Sequence, residues 1–410
     1  MGDRHRLVVS CACSGVGPGP PGGPGTVQTL LLDTQSGALT PLAGPEVCGG
    51  NVQWATASPS HGTIYVVENS GSLDGRILAY QVGAGGELSL LNTCRTYCWM
   101  CHAVVDATEN FIITQDYGTQ PGEAHVAVFR ILEDGRLDVD EDGGGVTVWR
   151  RPCDPGGHHS GPQPGQNPGR QDASHPHMVC LSPDNRFVFA PDLGMDQITC
   201  FSFDDELGQL GGATATGHTH AGAGPRHMAF HASARFAYSV NELDNTVSSF
   251  AYDAAQGLLE PFDGDGAPVS SLPPGTDQQA PGPFEAYDLC SHASGIVVDG
   301  DRLFASNRGH DTIACFTIDS SSGRLTPTAF AAAGGALPWA VAVEGEWLLE
   351  SCQFGARASS DGATPPSGAG GVTVHSIEGD GSLTKTTNHY PIETCMSVHV
   401  FEMPSTKPSL

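Results

Sequence analysis

Apolar residues in this chain come in short runs, such as TIYVVE at Thr63–Glu68, FVFAPD at Phe187–Asp192 and TIACFTI at Thr312–Ile318. These runs are rich in β-branched and aromatic residues and are bounded by turn formers, so they predict β-strands. No long stretch places apolar residues at i, i+3, i+4 and i+7, the pattern of an amphipathic helix. Seven times a strand-like run leads into a turn ending Gly-x-Leu, centred on Leu39, Leu88, Leu137, Leu210, Leu259, Leu325 and Leu383. Three copies are nearly alike: LLLDTQSGALTPL (Leu30–Leu42), FAYDAAQGLLEPF (Phe250–Phe262) and FTIDSSSGRLTPT (Phe316–Thr328).

Successive copies lie 49, 49, 73, 49, 66 and 58 residues apart. A repeat of about 40–50 residues with four strands per unit signals a β-propeller. Each unit has an upstream hairpin of two apolar strands around a polar turn, clearest at His177–Asp192, His227–Glu242 and Ala293–Arg308. Looser copies are Trp54–Asn69, Cys101–Asp116 and Trp339–Gln353. Six such hairpins face seven Gly-x-Leu pairs, and the seventh can be assembled from Met396–Phe401 and Arg6–Ala12 at the two ends of the chain. The expected fold is all-β, one seven-bladed propeller over residues 1–410, closed by the C-terminal strand joining the N-terminal blade so that no sheet edge is left open there. Two Gly/Pro-rich insertions, 146–174 and 263–289, are read as loops between the last strand of one blade and the first of the next. They are either tolerated surface insertions or the wall of a pocket.

Composition changes this picture little. The 54 Gly and 30 Pro suit many short strands and turns. A formal charge of −27, with Lys385 and Lys407 the only lysines, disfavours nucleic acid and anionic membranes as partners and favours solubility. An anionic substrate would therefore need a local cluster of arginines. The 13 Cys are odd in number, and Cys180, Cys200 and Cys315 fall inside apolar strands, as buried hydrophobes rather than a disulfide framework. The apolar run after the first basic residues is too short for a signal-peptide core, and no segment reaches the ~20 apolar residues of a membrane span. The expectation is a soluble cytoplasmic protein, monomeric because a closed ring needs no partner for its edges.

In a propeller the innermost strand starts, and the second strand ends, at the same rim of the central channel. His102, His175, His177, Arg226, His227 and His292 mark strand starts, while Asn69, Gln115, Asp116, Asp192, Glu242, Arg308 and Gln353 mark strand ends. Two Arg, a Glu and several His converging on one rim suit a small anionic, carbonyl-bearing molecule. Arg offers forked donors to carboxylate, phosphate or an oxyanion, and His or Glu can move a proton. The simpler reading is a rim whose polar groups bond only to loop backbone.

The segments HPHMVCLSPDNRFVFAPDLGMDQI, GPRHMAFHASARFAYSVNELDNTVSSFAYD and LFASNRGHDTIACFTID resemble the lactonase-type seven-bladed propellers. The bacterial propeller-type 6-phosphogluconolactonases belong to that family, and the fungal carboxy-cis,cis-muconate cyclases are related. The resemblance is strongest over Ser174–Pro327. It implies a site on the channel rim with no obligatory metal or other cofactor. His177, Glu242, Arg226 and Arg308 would be the catalytic set; the rim positions His175, His227, His102 and Asp192, read from strand starts and ends, are expected beside them as substrate-binding residues. The implied reaction is hydrolysis of a sugar-acid lactone, most simply 6-phosphogluconolactone. A lactonizing isomerase of the muconate type and a non-catalytic scaffold are the alternatives. The degenerate early blades, the two insertions and the Cys-rich stretch near Cys94 depart from the family.

Other motifs carry less. Cys94-x3-Cys98-x2-Cys101 has iron–sulfur spacing but sits between two propeller blades rather than in an α/β barrel. His158-His159 and His218-x-His220 lie in Gly-rich surroundings and read as solvated, and Asp138–Gly145 lacks EF-hand spacing. The absence of G-x-S-x-G, H-E-x-x-H and P-loop motifs argues against a serine hydrolase, a zincin and an NTPase.

Overall fold

Runs rich in Val, Ile, Phe and Tyr pack best on a pleated surface, and the predicted runs are strands throughout. A computed structural model describes residues 4–14, 23–69, 75–96, 99–118, 123–139, 147–152, 167, 169–264, 266–276, 290–356 and 368–403. They form seven antiparallel sheets in succession, each with four strand positions counted outward from the channel. Blade 1 takes its innermost strand, Cys395–Glu402, from the C-terminus. That strand pairs with His5–Ser14 in the register Val8 to Val400 and Ser10 to Val398. The ring thus closes as expected, by joining the two ends of the chain.

Blade 2 opens with Asn51–Ser58, blade 3 with Met100–Val105 and blade 4 with the short Cys180–Leu181. Blades 5, 6 and 7 open with Pro225–Phe230, His292–Asp299 and Ala336–Glu344. Seven apolar clusters hold the ring, one at each blade-to-blade interface. Blades 4 and 5, for example, meet through buried Phe189, Ile198, Met228 and Phe250.

The insertions begin later than the sequence suggests. Thr147–Pro152 pairs with Glu123–Arg130 and is the outermost strand of blade 3. Val269–Ser270 likewise pairs with Thr246–Asp253 at the outside of blade 5. The first described residues of each stretch therefore belong to the blade's outermost strand, and the remainder of the insertion follows that strand in sequence.

The Gly-x-Leu turns have a structural role that the repeat alone does not reveal. Gly323 of blade 6 has φ +73°, and a Cβ built on it would lie 2.5 Å from Cδ1 of Phe236, the first residue of the second strand of blade 5. Gly208 meets Phe111 of blade 3, and Gly257 meets Phe187 of blade 4, in the same way. Tyr238 also donates its hydroxyl to the Gly323 carbonyl at 2.8 Å. Each such glycine lets one blade's turn lie flat against an aromatic ring of the preceding blade.

Candidate active site

The innermost strands are irregular where they begin. Their register slips leave Gln53, Cys101, Arg226 and Trp339 as extra residues in blades 2, 3, 5 and 7. A bulge bends its strand and re-aims the extra side chain. Two of these re-aimed residues meet, with the Arg226 guanidinium 5.7 Å from the Trp339 ring centroid. Arg308, ending the second strand of blade 6, lies 4.3 Å over the same ring. A ring face attracts a cation, so Trp339 forms a floor beneath both arginines.

Glu242 follows the last residue of the second strand of blade 5, and its amide donates to the Gly224 carbonyl at 2.8 Å. Its Oε2 lies 2.8 Å from Arg226 Nε and 2.9 Å from Arg308 Nη2. Its Oε1 lies 2.5 Å from Arg170 Nη2. Glu242, Arg226 and Arg308 are each 1% exposed and Arg170 is 5% exposed. Burial pushes the Glu242 carboxyl up, but the Arg308, Arg170 and Arg226 guanidiniums more than offset it and hold the carboxyl well below its ordinary range. The remaining donors are partly engaged too: Arg226 Nη1 reaches the Ser294 carbonyl at 3.2 Å, and Arg308 Nε the His292 carbonyl at 3.4 Å.

A chain of rings adjoins this ion cluster. Arg226 Nη1 lies 3.1 Å from His227 Nε2. The His227 ring lies 5.5 Å from that of His177 and 5.7 Å from that of His102. His102 in turn lies 4.2 Å from Trp54, which lies 4.3 Å from His399. Tyr117 presents its edge to His177 at 5.5 Å. Burial lowers the pKa of His177 well below that of free histidine, with Arg226 adding to the shift. Burial does the same to His227 and His102, reinforced by Arg226 and His399 respectively. These imidazoles are therefore neutral at pH 7. Nδ1 of His177 and of His102 is buried without a hydrogen-bond partner among the described residues. A neutral imidazole with an unengaged nitrogen beside two guanidiniums can take a proton from water while cations hold an anion.

Of the residues expected at the rim, His177, Arg226, His227, Glu242, Arg308 and His102 come together here. His175 and Asp192 lie beside them but are engaged by the loop that leads into blade 4. Asp192 accepts from the Ser174 hydroxyl, from the His175 amide at 2.7 Å and from the Gly194 amide at 3.1 Å. His175 bonds through Nδ1 to the Tyr117 carbonyl at 2.8 Å and through Nε2 to Asp172 at 3.1 Å, while its ring stacks on Tyr117.

Arg170, Trp339, Trp54 and His399 were missed by the sequence reading. Trp54 and Trp339 each open a hairpin and His399 lies in the closing strand, so extending the strand-start rule to aromatic residues and to blade 1 would have found them. Arg170 lies in an insertion with no repeat register and carried no such signal. Of the cysteine motif, Cys98 lies outside the described residues, while Cys94 is on the outermost strand of blade 2 and Cys101 on the innermost of blade 3. His158 and His159 also lie outside them, as do residues 140–145 of the acidic stretch. His220 pairs with Asp244. Among the described residues, no group of three or more His, Cys, Asp or Glu is arranged to hold a metal ion, and no helix is long and apolar enough to cross a membrane.

Residues 15–369 match the family model described as lactonase, 7-bladed beta-propeller. A 6-phosphogluconolactonase of Bacillus subtilis is 29% identical over 311 residues, covering 74% of this chain and 77% of its own length. A probable 6-phosphogluconolactonase of Arthroderma benhamiae is 26% identical, covering 73% of this chain and 69% of its own length. Among solved structures, the periplasmic gluconolactonase of Pseudomonas aeruginosa superposes with a TM-score of 0.75, covering 98% of this chain and 99% of its own at 24% identity. That likeness bears on the fold.

Proposed function

The chain belongs to the seven-bladed β-propeller lactonase family, and from that premise we propose that it hydrolyses the lactone of a sugar acid, with 6-phosphogluconolactone as substrate. The observation that carries this reading is the buried Arg226–Glu242–Arg308 cluster with neutral His177 in electrostatic reach of it. A carboxylate held by three guanidiniums is a weak base, so Glu242 fixes the arginines and His177 moves the proton. Water attacks the lactone carbonyl carbon as the His177 imidazole takes its proton. The ring C–O bond then breaks, and the imidazolium returns the proton to the departing alkoxide, leaving an open-chain hydroxy acid. Arg226 and Arg308 stabilise the oxyanion that forms between these steps.

Three guanidiniums, one carboxylate and neutral imidazoles leave two positive charges in excess, within a chain of formal charge −27. That local excess suits the dianion of a phosphate monoester. The name carried by the Bacillus subtilis relative supports the same substrate.

The test compares consumption of 6-phosphogluconolactone, unphosphorylated gluconolactone and carboxymuconate against their decay in buffer. The reading expects the phosphorylated lactone to be turned over with the highest kcat/KM. Preference for gluconolactone would overturn the phosphate assignment, carboxymuconate turnover alone would favour a lactonizing isomerase, and no turnover would leave a binding scaffold.

A further inference from the structure

We propose that Arg170 is a positioning residue of this site: acting through Glu242, it keeps that carboxylate ionised and oriented so that Arg226 and Arg308 face the substrate. The inference rests on the lactonase reading above.

The two oxygens of Glu242 have separate partners. Both blade arginines converge on Oε2, while Oε1 meets Arg170, 72 residues away in sequence. Arg226 rises from blade 5 and Arg308 from blade 6, so each is fixed by a sheet. A carboxylate held only by these two could rotate to share its oxygens between them, moving both guanidiniums. With Oε1 occupied, that rotation is blocked and Oε2 remains the common ion-pair partner of both guanidiniums.

The segment carrying Arg170 is itself firmly tied. Gln171 Nε2 donates to the Leu193 carbonyl at 3.0 Å and to Asp196 Oδ1 at 2.8 Å. Four residues on, the Ser174 hydroxyl and the His175 amide are held by Asp192. Asp196 also accepts from the amides of Gly222 and Gly224, each at 2.8 Å, in the loop that leads directly into Arg226. One carboxylate therefore registers the Arg170 segment and the Arg226 loop against each other. Arg170 is placed by the same hydrogen bonds that place one of the arginines it orients.

Charge gives the second argument. An opposite charge in contact lowers a carboxyl pKa by about 1–3 units. Removing one of three guanidiniums from a buried carboxylate raises its proton affinity by a shift of that order. A protonated Glu242 would deprive both blade arginines of their shared counter-charge.

The test uses the full-length chain and four variants: Arg170→Gln, Arg170→Lys, Glu242→Gln and the Arg170→Gln/Glu242→Gln pair. Steady-state hydrolysis of 6-phosphogluconolactone is followed from pH 4 to 8, with circular dichroism as a check on folding. We expect Arg170→Gln to lower kcat by about 10–100-fold, the scale of a small misplacement of catalytic groups, with KM changed less than kcat. Arg170→Lys should restore most of that kcat. In the Glu242→Gln background, Arg170→Gln should cost nothing further, because it acts through a group already removed. Additive losses in the pair, or an Arg170→Gln variant with wild-type kcat, would overturn the proposal. Lost activity matched by lost folded signal in every Arg170 variant, Arg170→Lys included, would do so too. Absence of turnover by the wild-type chain is a distinct result and refutes the lactonase reading itself.

Discussion

Arg226 Nε lies 2.8 Å from Glu242 Oε2, joining two side chains that are each only 1% exposed. Removing one member of a buried ion pair strands the other without compensation, at a cost of about 3–5 kcal/mol. Glu242→Gln should therefore lower stability by that order as well as activity, read by denaturant unfolding. The sign with pH follows from the depressed carboxyl. Its contribution is complete above the unfolded value of about 4.3 and is lost as pH falls through the lower folded value. The wild type should thus lose more stability than the variant as pH is lowered beneath about 4.

His177→Gln should lower kcat by about 10²–10⁴-fold, the usual contribution of general-base catalysis, with little change in Tm. Burial and Arg226 hold His177 below the ordinary histidine range. The wild-type rate should accordingly stay level from pH 8 down through about 6.5 and fall only in more acid buffer. An acid limb centred at or above 6.5 would contradict this assignment.

The histidine cluster also makes a prediction about acid stability. Burial lowers His292 to about 4 and His399 to about 3. The unfolded chain binds their protons at about pH 6.5, whereas the folded chain does not until far lower. The stability these groups contribute is present above about 6.5 and is lost progressively as pH falls towards those folded values. Tm measured from pH 7 to 4 should drop steeply, and His399→Gln should flatten that slope.

Trp339 lies beneath Arg308 at 4.3 Å and Arg226 at 5.7 Å. Replacing it with Leu removes a cation–π floor worth up to about 2 kcal/mol where water is excluded. We expect kcat/KM to fall by roughly 10-fold or more in Trp339→Leu, and Trp339→Phe to retain most of it. Equal losses in both variants would show that bulk, not the ring face, is what matters.

Two glycine substitutions separate backbone strain from blade contact. Gly345, in the turn between the first two strands of blade 7, has φ +59° with nothing within 4 Å of a built Cβ, whereas Gly323 has φ +73° against Phe236. Gly345→Ala should cost only the left-handed penalty of about 1–2 kcal/mol. Gly323→Ala should add about 1–3 kcal/mol of overpacking, and neither should change KM. Chemical denaturation of the two variants measures the difference.

Much of the fold was legible because a propeller is a local pattern repeated. A run such as Phe187–Asp192 and a turn such as Gly323–Leu325 announce their conformation through nearby residues. The pairing of Met396–Phe401 with Arg6–Ala12 followed once seven turns had been set against six hairpins. The strand-start and strand-end rule likewise brought His177, Arg226, Glu242 and Arg308 to one rim, since alternation and hairpin geometry fix which ends coincide.

Asp192 and His175 obeyed that same rule, yet their polar atoms bind the loop entering blade 4. Arg170 obeyed no rule and reaches Oε1 of Glu242. The amino-acid sequence by itself determined the number of blades, the closure of the ring and which residues could reach the channel rim, because these depend on short-range periodicity. Only the tertiary structure decided which of those residues meet. Bulges turned Arg226 and Trp339 towards each other, and the end of an insertion without register placed its Arg170 against Glu242. Contacts between segments 72 residues apart depend on how the intervening chain packs, and no local pattern records that.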